Sequence, residues 1–226
     1  MKQTEFEGLT EETYRFFWDI AFHNDTGYFE ENRARYRACV QAPLLRLAAS
    51  LADTVLEIDD RLNVRPSAVL SRIRRDTRYT KDKSPYRDHA WLGYRMPHSY
   101  ISENFTIYAE VERDAYGYGM GMYSPDAARM REFRARIQAA PEEFLSLVNE
   151  KAFAERFTLS GEDFKRDRFP DAEAALKPYF NKKCLSFCFS SNAISHTMTP
   201  AFSDELREAF LCMRPVYRFL MGLPVS

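Results

Sequence analysis

The sequence predicts one α+β domain spanning residues 1–226, with a mostly antiparallel central sheet packed by N-terminal and C-terminal helices. Three observations predict it: helical apolar spacing at both ends of the chain, strict alternation in the middle, and no internal repeat or Gly/Ser linker to divide it. Apolar residues at 45% and aromatics at 15% supply a core. A chain of this length buries roughly 70–75% of its unfolded surface, so neither disulfides nor metals are needed to hold it.

At the N-terminus, Thr10 can cap a helix with Glu11 and Glu12 in its first turn and Phe16, Phe17 and Ile20 on its inner face. A second helix begins near Asp25, with Phe29, Tyr36 and Val40 on one stripe. After Pro43, Leu44, Leu47, Leu51 and Val55 repeat at steps of three and four. From Pro66 the pattern turns β-like: Val69 to Tyr79, Trp91 to Arg95, Phe105 to Glu112 and Tyr116 to Tyr123. In the third stretch Phe105, Ile107, Ala109 and Val111 alternate with polar residues, as a half-buried strand requires, and Arg113-Asp114-Ala115 supplies the turn after it. Ser124-Pro125-Asp126 reads as N-cap, first-turn proline and first-turn acid of a helix to about Gln138, and Pro141-Glu142-Glu143 opens another. Phe157-Thr158-Leu159 with a Ser160-Gly161 turn suggests a hairpin, and Cys184 to Phe189 a buried strand. Thr199-Pro200 or Ser203-Asp204 opens a last helix, with Phe202, Leu206, Phe210 and Met213 on one face, which Pro215 should end or kink.

The 32 basic residues against 33 acidic leave a net charge of −1, which argues against a surface coated for nucleic acid or anionic membrane, so any anion recognition must be local. The N-terminus carries acids and no signal-peptide run, and no stretch reaches the length of a bilayer span. Cys39, Cys184, Cys188 and Cys212 are scattered and lack the spacing of a zinc or redox site, so they read as reduced core thiols. The expectation is a soluble cytoplasmic protein without a membrane partner, in which the glycosylation sequon Asn104-Phe105-Thr106 has no consequence.

The densest chemistry lies between Arg72 and Arg87. Arg72, Arg74, Arg75, Arg78, Lys81, Lys83 and Arg87 against Asp76 and Asp82 give this segment a charge of +5 and leave −6 for the remainder. As a strand it would put Arg72, Arg74, Asp76 and Arg78 on one face and Ile73, Arg75, Thr77 and Tyr79 on the other. A guanidinium at Arg75 on the apolar face needs a carboxylate or a bound anion. Thr80 to Pro85 is too charged for a central strand and should form an exposed loop. Planar Arg donors together with mobile Lys charges suit a phosphoryl group, held by Arg72, Arg75, Arg78, Lys81 and Lys83, with Asp76, Tyr86 and Arg87 alongside. An internal network, in which Asp76, Asp82, Asp88 or Glu110 pair with these bases, would fix the loop instead. Extended nucleic-acid contact, with Tyr79, Tyr86 and Trp91 stacking on bases, is the least favoured reading.

The stretch Arg72-Ile73-x-Arg75-Asp76-x-Arg78-Tyr79-Thr80-Lys81-Asp82-Lys83-x-Pro85-Tyr86-Arg87 resembles the signature of the family called domain of unknown function 2461, which has Phe, Ser and Lys where this chain has Tyr79, Thr80 and Arg87. Asn24-Asp25-x-x-Tyr28-Phe29-x-x-Asn32-Arg33-x-x-Tyr36 is similar to the family's helix motif, with Tyr28 where Trp is usual. Gly119-x-Gly121-x-Tyr123-x-Pro125 is similar to its glycine-rich turn, and the likeness runs from about Phe6 to Leu220. The resemblance implies a shared fold over the chain and carries no established activity.

Gly117, Gly119 and Gly121 share one face of their strand, so a ligand, a ring or a packed helix must lie against bare backbone there. The strand's end, running into the Ser124-Pro125-Asp126 helix start, is expected to offer N–H groups to an anion beside Gly119 and Gly121. The spacing is not that of a dinucleotide fingerprint. On the second helix Asn32 and Arg33 either line the same pocket as Arg75 and Arg78, or Arg33 pairs with an acid such as Asp76; the pairing is slightly favoured. There is no P-loop, zincin or esterase motif. His23, His89, His98 and His196 are spread out, and only His89 adjoins the basic loop. Carboxylates ringed by Arg and Lys make weak bases, and a cationic cluster repels a metal, so no cofactor or metal is expected. The sequence states no reaction; a small anionic ligand is the expected partner.

Overall fold

Alternation and helical spacing translate directly into elements in the computed structural model, which describes residues 5–78, 81–97 and 105–225. Thr10 precedes α1 (Glu11–Phe22), whose Phe16, Phe17 and Ile20 are fully buried. The Asp25 carboxylate accepts the Tyr28 amide at 2.9 Å and starts α2 (Thr26–Tyr36). A π-helical turn, Arg37–Gln41, leads into α3 (Ala42–Ser50) and α4 (Ala52–Ile58), which carry the Leu44, Leu47, Leu51 and Val55 stripe inward. A short α5 (Pro66–Val69) follows.

The strands are β1 (Ala90–Tyr94), β2 (Thr106–Val111) and β3 (Tyr116–Gly121). Then come α6 (Ala127–Ala139), α7 (Pro141–Val148), α8 (Lys151–Arg156), β4 (Thr158–Ser160), α9 (Lys177–Phe180), β5 (Ser186–Ser191) and, after a 3₁₀ turn at Ile194–Met198, α10 (Ala201–Met221). The sheet has the order β1-β2-β3-β5-β4 and every pairing is antiparallel. This is the α+β fold the sequence predicts. One sheet face carries Leu92 and Tyr94, Ile107 and Ala109, Tyr116 and Tyr118, and packs on α10 through the edge-on pairs Tyr116–Phe202 at 5.4 Å and Tyr94–Phe210 at 6.0 Å. Among the described residues no single helix is long and apolar enough to cross a membrane.

Three expectations need correction, and a fourth is narrowed. The stretch expected as a strand from Val69 onward forms no regular one: Val69 ends α5, and residues 70–78 pair with the opposing segments through the isolated bridges Leu70–Leu92 and Arg74–Tyr86. Pro85 is the reason, because it accepts the Arg75 amide at 2.8 Å through its carbonyl but has no N–H to return. The two-faced partition survives all the same, with Arg72, Arg74, Asp76 and Arg78 exposed and Ile73, Arg75 and Thr77 half-buried. Tyr79, Thr80, His98 and Asn104 lie outside the described residues.

Thr158–Ser160 forms no local hairpin but an edge strand whose partner is β5, with Thr158 opposite Cys188. The N-cap of α6 is Asp126, not Ser124. Pro215, expected to end or kink α10, does not end it: the helix continues to Met221. The carbonyl that Pro215 leaves without its helical N–H is that of Leu211, four residues back on the exposed side of the helix.

Candidate functional site

The second sheet face builds the site. Register places Trp91 opposite Glu110 and Glu110 opposite Gly117, Tyr108 opposite Gly119, and Thr106 opposite Gly121, which in turn faces Ser186. Cross-strand partners share a face, so the polar half of the β2 alternation meets the three glycines. Gly117 lacks a side chain where one would stand 2.9 Å from the Phe189 carbonyl oxygen and 3.4 Å from Glu110 Oε1. What lies against the bare backbone is therefore the Glu110 side chain at Gly117, the Phe187 carbonyl at Gly119 and the Ser186 side chain at Gly121, and of the three glycines it is Gly121 that lines an open cleft.

That cleft has a volume of about 550 Å³. Its floor is Thr106, Tyr108, Glu110, Gly121 and Ser186; Arg87, His89 and Trp91 form one wall at alternate positions leading into β1. Arg75 and Asp76 stand on the facing arm, and Met122 and the exposed Tyr123 on the rim. The Arg87 guanidinium lies 5.0 Å from the centre of the Trp91 ring, and the His89 ring stacks on the same indole at 5.7 Å.

The described residues of the arm, 70–78 and 81–87, are held by Asn24, just before α2, and by Phe29 on α2. Asn24 Nδ2 donates to the Tyr86 carbonyl and its Oδ1 accepts the Tyr86 amide, both at 2.9 Å, while the Tyr86 ring stacks on Phe29 at 4.2 Å. Arg87 Nη1 donates to the carbonyls of Arg72 and Arg74, each at 2.7 Å, filling acceptors a partner strand would otherwise use. Arg75 pairs with Asp82, whose other oxygen accepts the Ser84 amide at 2.9 Å, and Lys83 Nζ caps the Thr77 carbonyl at 2.8 Å. Arg78 makes a forked contact with Asp76 at 2.7 and 3.0 Å.

Arg75, Asp76, Arg87 and Gly121 thus line the cleft, as do His89, Trp91 and Glu110. Arg72, Arg78, Lys81 and Lys83 are exposed outside it, and Gly119 sits in mid-sheet. Arg33 and Tyr86 line a separate pocket of about 250 Å³ with Ile73 and Arg74. Arg33 pairs with Glu30 and not with Asp76, because three residues along one helix is a shorter reach. Asn32 donates to the Tyr28 carbonyl at 2.9 Å. Tyr86, 2% exposed, offers no stacking surface. The start of α6 offers no empty anion site either, since Asp126 accepts the amides of Ala128 and Arg129 at 2.8 and 2.9 Å.

Electrostatics separate the groups. Burial and the neighbouring Arg75 charge pull the Arg87 pKa down. Burial pushes Glu110 up, reinforced by Glu112 and opposed by His89, and burial raises the Tyr108 phenol. The hydrogen bonds from Arg78 hold Asp76 at about 2, so it is no base at neutral pH. Asp88 holds His89 Nδ1 at 3.1 Å and pairs with Arg113 at 3.3 Å. Among the described residues no group of three or more His, Cys, Asp or Glu is placed to hold a metal.

Sequence reasoning missed Thr106, Tyr108, Ser186, Met122 and Tyr123. The signal available for the first two was the polar side of the β2 alternation, which reads as solvent-facing until the glycines of β3 are known to lie beside it.

Fold and site together define an α+β protein with a polar, glycine-floored cleft beside a basic arm. A family model described as Conserved hypothetical protein (DUF2461) matches residues 12–219, and the chain belongs to that family. No curated protein and no solved structure matches it.

Proposed function

We propose that the protein binds a small anionic, phosphate-bearing ligand in this cleft, with Arg75 and Arg87 as the partners of the anion. The observation that carries the reading is the convergence of two guanidiniums, from opposite legs of the arm, on one cleft. Arg87 spends only Nη1 on carbonyls and has no carboxylate partner among the described residues, so Nε and Nη2 remain as donors. The Arg75 charge disfavours that of Arg87, and an anion between them removes the repulsion while accepting forked hydrogen bonds. All four cysteines are free, which supports a reducing, cytoplasmic setting.

Thermal unfolding with inorganic phosphate, sulfate, sugar phosphates, nucleotides and a short oligonucleotide at fixed ionic strength tests the reading. A ligand at roughly a hundred times its dissociation constant should raise Tm by about 5–10 °C in the wild type. Arg87→Gln should lose that rise, and Arg78→Gln/Lys83→Gln should keep it, because those side chains stand outside the cleft. No rise with any anion would overturn the proposal.

The Arg75–Asp82 and Arg78–Asp76 pairs favour a second reading, in which the tip of the arm is an internal charge network. On that reading Arg75→Gln loosens the arm, and no anion restores it.

A further inference from the structure

We propose that the ligand of this cleft is bipolar, with its anionic group on Arg75 and Arg87 and an ammonium or comparable N–H donor on Glu110. The inference rests on the anion-binding reading above and names the second half of the ligand. The observation behind it is a separation of opposite charges inside one cavity: Arg75 and Arg87 stand on the arm, Glu110 on the sheet, and no ion pair joins them. The Glu110 carboxylate has no hydrogen bond or ion pair to any described residue, although it is half-buried and lies against Gly117. Arg75 is already paired with Asp82, so among the described residues Arg87 and Glu110 are the opposite charges that share the cleft without an ion-pair partner, and they fit a ligand that presents the reverse pair.

The neighbours of Glu110 explain why a donor is wanted there. Glu112 repels its ionised form, His89 is engaged by Asp88, and Tyr108 beside it on β2 is itself displaced towards its neutral form by burial. A carboxyl left so in a protein cleft is destabilised when charged, and an incoming cation offsets both the lost hydration and the repulsion. A second unsatisfied group points the same way: among the described residues the buried Thr106 Oγ1, further along the same face, has no hydrogen-bond partner. Trp91, opposite Glu110 and under the Arg87 guanidinium, gives the connecting part of the ligand an apolar surface.

Calorimetric titration of the full chain with inorganic phosphate, with alkyl phosphates, and with ω-aminoalkyl phosphates of increasing chain length tests the proposal. At the length that spans the cleft, the aminoalkyl phosphate should bind about tenfold more tightly than its amine-free counterpart, worth about 1.4 kcal/mol. Glu110→Gln, which keeps size and shape, should erase that preference while still binding inorganic phosphate at least as tightly as the wild type; its melting curve checks that it folds. Phosphate binding with no gain from the amine at any length, or a gain that survives Glu110→Gln, would overturn the bipolar ligand and spare the anion site. No phosphate binding by the wild type would overturn both.

Discussion

Gly119→Val should destabilise the protein by about 3 kcal/mol or more, because it forces a side chain into a packed sheet that has no way to yield. Gly119 is in the middle strand, paired to Tyr108 on one side and Cys188 on the other. A β-carbon there would collide with the Phe187 carbonyl oxygen and stand 3.0 Å from Cys188 Cα, both backbone atoms of β5. Relief requires moving β5 itself, whose Phe187 is packed against Phe153 at 5.2 Å. Tm should fall by roughly 6–12 °C at this chain length. Gly93→Ala is the control, since a β-carbon at Gly93 meets Thr106 Cγ2 at 3.5 Å, an ordinary contact, and should change Tm little. Equal losses at the two positions, read by differential scanning calorimetry, would show that strand propensity and not the close approach to β5 requires glycine. The same result bears on the site: if Gly119 is there for packing, its place under the cleft is indirect, and Gly121 is the glycine that lines the cavity.

How much of this was legible in the sequence depended on the range of the physics. Period-two and period-three-to-four spacing are local, so α1 to α4, β2, β3 and α10 follow from Phe16 and Ile20, Leu44 and Leu47, Ile107 and Ala109, Phe202 and Leu206. The odd and even partition of residues 72–78 is local too, and it held although Pro85 prevented a ladder. What was not legible is the pairing of segments far apart. Nothing in Asn24 announces that both ends of its amide hold Tyr86, and nothing in Glu110 announces that Gly117 lies beside it. The basic run drew attention to Arg78, Lys81 and Lys83 because charge density is visible in one dimension, but charges on a loop tip face water and need no cleft. Arg87, the last base of the run, is the one that the returning leg of the arm carries into the cleft, and its alternation with His89 and Trp91 was the usable sign.

Away from the cleft, Asp59→Ala should cost about 3 kcal/mol near neutral pH, through hydrogen bonds to a charged group and the buried hydroxyl left behind. The Asp59 side chain is 1% exposed at the end of α4. It accepts Arg61 Nε and Nη2 at 2.8 Å each, the Arg61 amide at 3.1 Å, and the Tyr217 hydroxyl of α10 at 3.2 Å. Burial alone would raise its pKa, but the Arg61 bonds and charge and the Tyr217 hydroxyl outweigh it, so the carboxyl lies below its usual value. A depressed folded-state pKa means that this stabilisation is complete above the unfolded-state value of about 3.9 and is lost as pH falls through the lower folded-state value. The gap in unfolding free energy between wild type and Asp59→Ala, measured by urea titration, should therefore be constant from neutral pH down to mild acid and narrow in strong acid. A gap independent of pH throughout would mean that the loss reflects packing of α4 on α10 and not the charge. Tyr217→Phe separates the two contributions, since it removes only the interhelical hydroxyl, is expected to cost about 1 kcal/mol, and leaves the Arg61 contacts to hold the carboxylate ionised.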